Sequence, residues 1–132
     1  MQPIIPVTTA FYAGVLGILG VALTIYVIVQ RVQLKVEFGD GDQPRMAQAI
    51  RAHANFAEHV PIALLLLAFT EILGAAAWVV NSLGVGLIIA RLLSARGLTR
   101  TLGPSFERQS GASLTIVVIA IASAYIIFKA LT

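Results

Sequence analysis

An uncharged stretch from Val7 to Val29 is the feature that most restricts what this chain can fold into. It contains only apolar and small polar residues, and a helix of this length crosses the hydrocarbon core of a bilayer with a slight tilt. Pro3 and Pro6 precede it, which suits a helix start, where the first amide groups have no partner in the helix. Because no basic segment precedes the stretch and no small-residue cleavage site follows it, we predict a retained membrane helix and not a signal peptide.

The composition of the whole chain indicates the same class of protein. Of its 132 residues, 58% are hydrophobic and 11% are charged, whereas soluble domains carry about 25% charged residues. The sequence therefore predicts an all-α membrane protein that is a single domain over residues 1–132. Its four transmembrane helices are predicted at about 6–31, 44–73, 75–97 and 107–130. The chain has no cysteine, which excludes disulfides and cysteine metal sites, and its net charge of +3 is too scattered to predict a nucleic-acid partner.

Basic residues are concentrated in the first and third of the three predicted connections. They are Arg31, Lys35, Arg45, Arg96, Arg100 and Arg108. The second connection, around Leu73–Ala77, has no basic residue. Because the cytoplasmic loops of membrane proteins carry an excess of lysine and arginine, we predict that both basic connections lie in the cytoplasm and both termini on the extracytoplasmic side.

The second predicted helix carries polar side chains where a membrane helix is normally apolar. Arg51, Asn55 and Glu58 are spaced i, i+4, i+7 and share one helix face, which Gln48 extends and His59 borders. A charged side chain in hydrocarbon costs about 2.5–3.5 kcal/mol, so we expect this face to meet protein or a water-filled cleft. It is either a structural ion pair that holds helices together or a pocket for a charged ligand, since arginine can hold a carboxylate with two hydrogen bonds.

Three further polar residues lie within the predicted helices. Arg91 lies one to two turns from the end of the third helix, where it is predicted either to extend along the lipid to the interface or to reach the same cleft as Arg51. Glu71 lies near the outer end of the second helix, which favours a helix-end or interhelical hydrogen bond. His53 and His59 do not share a helix face, so no metal site is predicted.

A motif in the second helix resembles the signature of the MAPEG family, the membrane-associated proteins in eicosanoid and glutathione metabolism. It reads Arg51-Ala-His-Ala-Asn55-Phe-Ala-Glu58-His59-Val-Pro61 and is most similar to the small bacterial members. Residues 36–41 resemble the loop before this helix in the family, 90–98 the end of the third helix, and 108–115 the start of the fourth. The resemblance therefore covers nearly the whole chain.

This resemblance implies a left-handed four-helix bundle that forms a homotrimer in the bacterial inner membrane. Glutathione would be the co-substrate, without a metal, and would bind in clefts between subunits that open to the cytoplasm. The reaction implied is transfer of the glutathione thiol to lipophilic electrophiles, or reduction of lipid hydroperoxides. The residues that would bind glutathione are Arg51, Asn55, Glu58, His59, Arg91 and Gln48.

The residues that activate the thiol in eukaryotic members of the family are changed in this chain. Tyrosines at the end of the third helix are replaced by Ser94 and Leu98, and the position of an activating arginine is occupied by about Ser105. Because a nearby guanidinium lowers the pKa of a thiol, Arg100 and Arg108 are candidates for the activating role, together with Ser94. The alternative function is a non-catalytic membrane scaffold or structural subunit on the same fold.

Overall fold

The structure is a computed structural model that describes residues 5–132, and this part of the chain folds into four long helices. The helices are α1 (Val7–Leu34), α2 (Pro44–Ile72), α3 (Ala77–Arg100) and α4 (Phe106–Leu131). Each is long and apolar enough to cross a membrane by its length and composition. The predicted bounds lie within one helical turn of these. Pro6 directly precedes α1 as predicted, while Pro3 lies outside the described residues.

The largest differences from the predicted bounds are three residues, at the ends of α1 and α3. Helix α1 continues to Leu34, about one turn beyond Arg31. The Arg31 side chain folds back over the following loop, where Nη1 donates to the carbonyl oxygens of Val36 at 3.3 Å and Gly39 at 3.1 Å. Lys35 then ends the helix in the left-handed conformation, with φ of 56°. The charged segment that follows the apolar stretch is therefore partly helical, and hydrogen bonds from Arg31 connect the helix end to the loop.

Successive helices run in opposite directions, so the α1–α2 and α3–α4 connections share one end of the bundle. We call this the basic end, defined by residues 31–45 and 96–108. The described start of α1 lies at the opposite end, where the Glu71 carboxylate accepts from the backbone N–H of Thr8 at 2.9 Å and of Thr9 at 2.7 Å, and from the Thr9 hydroxyl at 2.7 Å. Glu71 thus satisfies amide groups that α1 itself leaves unpaired, and the predicted interhelical hydrogen-bond role is confirmed.

Most of the core between the helices is apolar. Tyr12 and Leu16 of α1 pack with buried residues of α2 and α3 such as Leu67 and Leu87, and Leu23 of α1 packs with Ala52 and Leu98. The outward faces of the helices expose many large apolar side chains. Such a surface suits lipid, because a soluble protein of this size rarely exposes extended apolar patches.

Helices α3 and α4 approach most closely near the basic end. A Cβ placed on Gly111 of α4 would lie 2.5 Å from Ser94 Oγ and 2.7 Å from the carbonyl oxygen of Ala90. A Cβ placed on Gly97 of α3 would lie 2.6 Å from the backbone nitrogen of Arg108. Small residues at these two positions let the helix backbones come together, and this brings the polar residues of α2, α3 and α4 within reach of one another.

Candidate ligand-binding site

The polar face of α2 is largely uncovered in a single chain. Arg51 Nη1 and Glu58 Oε1 form an ion pair at 3.2 Å, and their side chains are 54% and 49% exposed. Both residues belong to the same helix, so this pair does not hold α2 to another helix of the chain. The interpretation as an ion pair that joins helices within the bundle is therefore not supported, and two charged side chains remain open to a partner or a ligand.

A groove of about 250 Å³ lies beside Arg51 at the basic end. We call it the basic groove; its lining residues are Ala47, Gln48, Arg51, Leu98, Thr101, Leu102 and Arg108. One wall comes from the first turns of α2, and the other from the end of α3, the α3–α4 connection and the start of α4. The groove therefore combines two guanidinium groups, an amide and a hydroxyl with two leucine side chains, which suits an anionic ligand with an apolar portion.

Arg108 is the candidate thiol-activating residue that the structure places beside Arg51. It is half-buried and lines the basic groove, and its backbone N–H donates to Ser105 Oγ at 3.2 Å, which caps the start of α4. Arg100 is exposed at the end of α3 and lies outside the groove. Arg96 Nε and Glu107 Oε1 form an ion pair at 3.2 Å, which links the end of α3 to the start of α4.

Ser94, the third candidate, is buried and does not line the basic groove. Its Oγ accepts a hydrogen bond from Arg91 Nη2 at 2.9 Å. Arg91 itself is 2% exposed, and its Nη2 also donates to Thr115 Oγ1 of α4. Arg91 therefore neither extends along the lipid surface nor lines the basic groove.

Asn55 connects this buried arginine to the polar face of α2. Its side-chain Oδ1 accepts from Arg91 Nη1 at 2.9 Å, and its backbone oxygen lies 3.3 Å from the same nitrogen and 2.8 Å from His59 Nδ1. We call Asn55, Arg91, Ser94 and Thr115 the Arg91 cluster. It joins α2, α3 and α4 through hydrogen bonds between side chains, with no carboxylate among its members.

Thr115 is the member of this cluster that the sequence alone does not single out. A hydroxyl on an apolar membrane helix is common, and Thr115 is one of several such residues on α4. The signal that identifies it is Gly111, one turn earlier on the same helix, because only a residue without a side chain permits the contact with α3. The structure thus divides the predicted site into an open part, with Gln48, Arg51, Glu58 and Arg108, and a buried part, with Arg91 and Ser94.

Comparison with known proteins extends over nearly the same length as the four helices. The model of the MAPEG family matches residues 9–128. Similar proteins include "Inner membrane protein YecN" of Escherichia coli K12 and its counterpart in Escherichia coli O6:H1 strain CFT073. Each is 36% identical over 108 residues, which cover 81% of this chain and 80% of the relative. No solved structure matches the chain. The four apolar helices and the match to the family model together show that the chain is a membrane protein of the MAPEG family.

Proposed function

We propose that this protein binds glutathione in the basic groove and acts as a glutathione transferase or peroxidase on lipophilic substrates in the bacterial inner membrane. The observation that carries the proposal is the presence of Arg51 and Arg108 in one groove. Glutathione has two carboxylates and one ammonium group at neutral pH. Guanidinium groups bind carboxylates with charge-assisted hydrogen bonds, and Glu58 beside Arg51 offers an acceptor for the ammonium group.

Assembly into a homotrimer completes this site. The Arg51–Glu58 pair lies on a helix of membrane-spanning length and is about half exposed, while a charged group in hydrocarbon costs about 2.5–3.5 kcal/mol. A neighbouring subunit that covers this face removes the pair from lipid and adds a further wall to the groove. The groove of a single chain, at about 250 Å³, is slightly smaller than usual ligand pockets of about 300–1,000 Å³.

The groove opens to the cytoplasm, where glutathione is supplied. The concentration of basic residues in the α1–α2 and α3–α4 connections supports this orientation, with both termini on the extracytoplasmic side. A left-handed bundle is the arrangement that the resemblance to the MAPEG family implies. The inner membrane is the location that the names of the two Escherichia coli relatives give for those proteins. Lipophilic substrates reach the groove from the bilayer, along the apolar outer faces of the helices.

Arg108 supplies the activation of the thiol in this proposal. Its guanidinium stabilises the thiolate and so lowers the pKa of the glutathione thiol. The thiolate attacks an electrophilic carbon, forms a thioether and expels the leaving group. With a hydroperoxide the thiolate attacks the terminal oxygen and breaks the O–O bond, which gives the sulfenic acid and an alkoxide that takes a proton from water and leaves as the alcohol. A second glutathione thiol then converts the sulfenic acid to the disulfide and water.

The alternative is a non-catalytic scaffold that retains the fold and the ligand groove. Leu98, which stands where eukaryotic members carry a tyrosine, lines the groove with an apolar side chain, and Ser94 is bonded to Arg91 instead. Glutathione that binds without being consumed in the presence of electrophiles would identify this alternative.

Replacing Arg51 by alanine is expected to weaken glutathione binding by about 10- to 100-fold, because hydrogen bonds to charged groups contribute about 1.5–3 kcal/mol. The measurement is the melting temperature of the detergent-solubilised protein as glutathione is titrated to millimolar concentrations. Arg45→Ala is the matched control, since Arg45 is exposed on the same helix and lies outside the basic groove; it is expected to retain the full shift. The proposal is wrong if glutathione leaves the wild-type melting temperature unchanged, or if Arg51→Ala responds like the wild type.

A further inference from the structure

We propose that Thr115 is a positioning residue for ligand binding, which acts through Arg91 to fix the orientation of the Asn55 side-chain amide. In that orientation Asn55 Oδ1 faces α3, and the Nδ2 group is left to donate to the ligand. The inference rests on the proposed function, because it extends the bound glutathione from the basic groove to Asn55, which lies one helical turn beyond Arg51 on the polar face of α2. It adds a residue of α4 that makes no contact with the basic groove.

The Thr115 hydroxyl already donates its own hydrogen within α4. Thr115 is completely buried, and its Oγ1–H donates to the carbonyl oxygen of Gly111 at 2.8 Å. A hydroxyl has one hydrogen, so with that hydrogen engaged Thr115 can only accept from Arg91 Nη2. Thr115 is therefore a fixed acceptor for the guanidinium.

Arg91 can only donate hydrogen bonds. A guanidinium has no acceptor atom, so the atom of Asn55 that faces Arg91 Nη1 at 2.9 Å must be the oxygen Oδ1 and not the nitrogen Nδ2. The chemistry of Arg91 thereby sets which way the Asn55 amide is turned. In the described part of the chain Asn55 Nδ2 makes no hydrogen bond, so its two hydrogens are available to an acceptor on a ligand.

The Arg91 guanidinium depends on few hydrogen-bond partners. Arg91 is buried, and its Nε has no hydrogen-bond partner within residues 5–132. In the described part of the chain, Nη2 donates to Ser94 and Thr115 and to no other residue. Loss of the Thr115 hydroxyl leaves part of a buried cation without an acceptor, which is costly. We expect the guanidinium to shift, so that it no longer holds Asn55 in one orientation.

The test is a double-mutant cycle on glutathione affinity, measured by calorimetry on the detergent-solubilised trimer. Thr115→Val keeps the shape and removes the hydroxyl, and it is expected to weaken glutathione binding by about fivefold. Thr115→Ser, which keeps the hydroxyl, is expected to bind within about twofold of the wild type. When Asn55 is already alanine, Thr115→Val is expected to have no further effect on glutathione affinity, because Thr115 affects the ligand only through Arg91 and Asn55.

Thr70→Val is the matched control. Thr70 is as completely buried as Thr115, but its hydroxyl donates to the Leu66 carbonyl oxygen of its own helix at 2.8 Å and reaches no arginine. We expect it to leave glutathione affinity unchanged. The inference is overturned if Thr115→Val binds glutathione like the wild type, or if it weakens binding equally with and without Asn55. Absence of binding by the wild-type protein would instead overturn the proposed function.

Asn55→Asp tests whether the ligand uses the Asn55 Nδ2 donor, without altering Thr115. A carboxylate oxygen keeps the bond from Arg91, so the melting temperature is expected to be at least that of the wild type, while glutathione affinity falls by about tenfold or more because the Nδ2 donor is lost. Retained affinity would overturn the inference, because Nδ2 would then not serve the ligand.

Discussion

Replacing Gly111 by alanine should lower the free energy of unfolding by about 1–3 kcal/mol, the usual range for forcing extra atoms into a packed site. The new Cβ would lie 2.5 Å from Ser94 Oγ and 2.7 Å from both the Ser94 backbone nitrogen and the Ala90 carbonyl oxygen. Two of these atoms belong to the backbone of α3, which cannot move aside as a flexible side chain can. Helices α3 and α4 must therefore separate, and Thr115 is withdrawn from Arg91.

Thermal unfolding of the detergent-solubilised protein measures this effect, and Gly86→Ala provides the control. Gly86 lies in α3 and faces α4, but the nearest neighbour of a Cβ placed there would be Val118 Cγ2 at 3.4 Å, an ordinary contact distance. Alanine there is expected to be neutral or to stabilise the helix by up to about 1 kcal/mol. Equal destabilisation by both substitutions would show that the close approach at Gly111 has no special role.

Replacing Arg108 by alanine should lower the rate of glutathione conjugation by about 100-fold, as is typical when a group that stabilises negative charge in an active site is removed. Arg100→Ala should change the rate by no more than about twofold, since Arg100 lies outside the basic groove. Initial rates with a chromophoric electrophile measure turnover, and the ultraviolet absorbance of bound thiolate measures activation.

The same pair of variants separates the two candidate arginines. A large loss of rate for Arg100→Ala with none for Arg108→Ala would contradict the assignment of Arg108. If the wild type binds glutathione but forms no thiolate and turns over no electrophile, the scaffold alternative holds.

The helices could be predicted from the sequence because their signal is local. The uncharged stretch from Val7 to Val29 marks a segment that the structure confirms as α1. The extension of α1 to Leu34 could not be predicted in this way, because the charged residues after Val29 indicate a loop by their local signal. The contact of the Arg31 side chain with the carbonyl oxygen of Gly39 is a longer-range feature that the local signal does not contain.

The candidate site was predictable only in part, for a similar reason. The spacing of Arg51, Asn55 and Glu58 on one helix fixes their common face, and the structure keeps Arg51 and Glu58 together. The fate of Arg91 depends on which helix packs against α3 and how closely. The sequence predicts either the lipid surface or the cleft for Arg91, whereas the absence of a side chain at Gly111 allows Thr115 to hold it in the interior. Likewise, the path of the α3–α4 connection decides that Arg108 and not Arg100 faces Arg51.

A cryo-EM map of the protein with saturating glutathione would show directly whether the ligand lies in the basic groove. We expect a homotrimer with density in each basic groove, in which a carboxylate lies within hydrogen-bond distance of Arg51 and the sulfur faces Arg108. Empty grooves in such a map, or glutathione density away from Arg51, would contradict the proposed glutathione site.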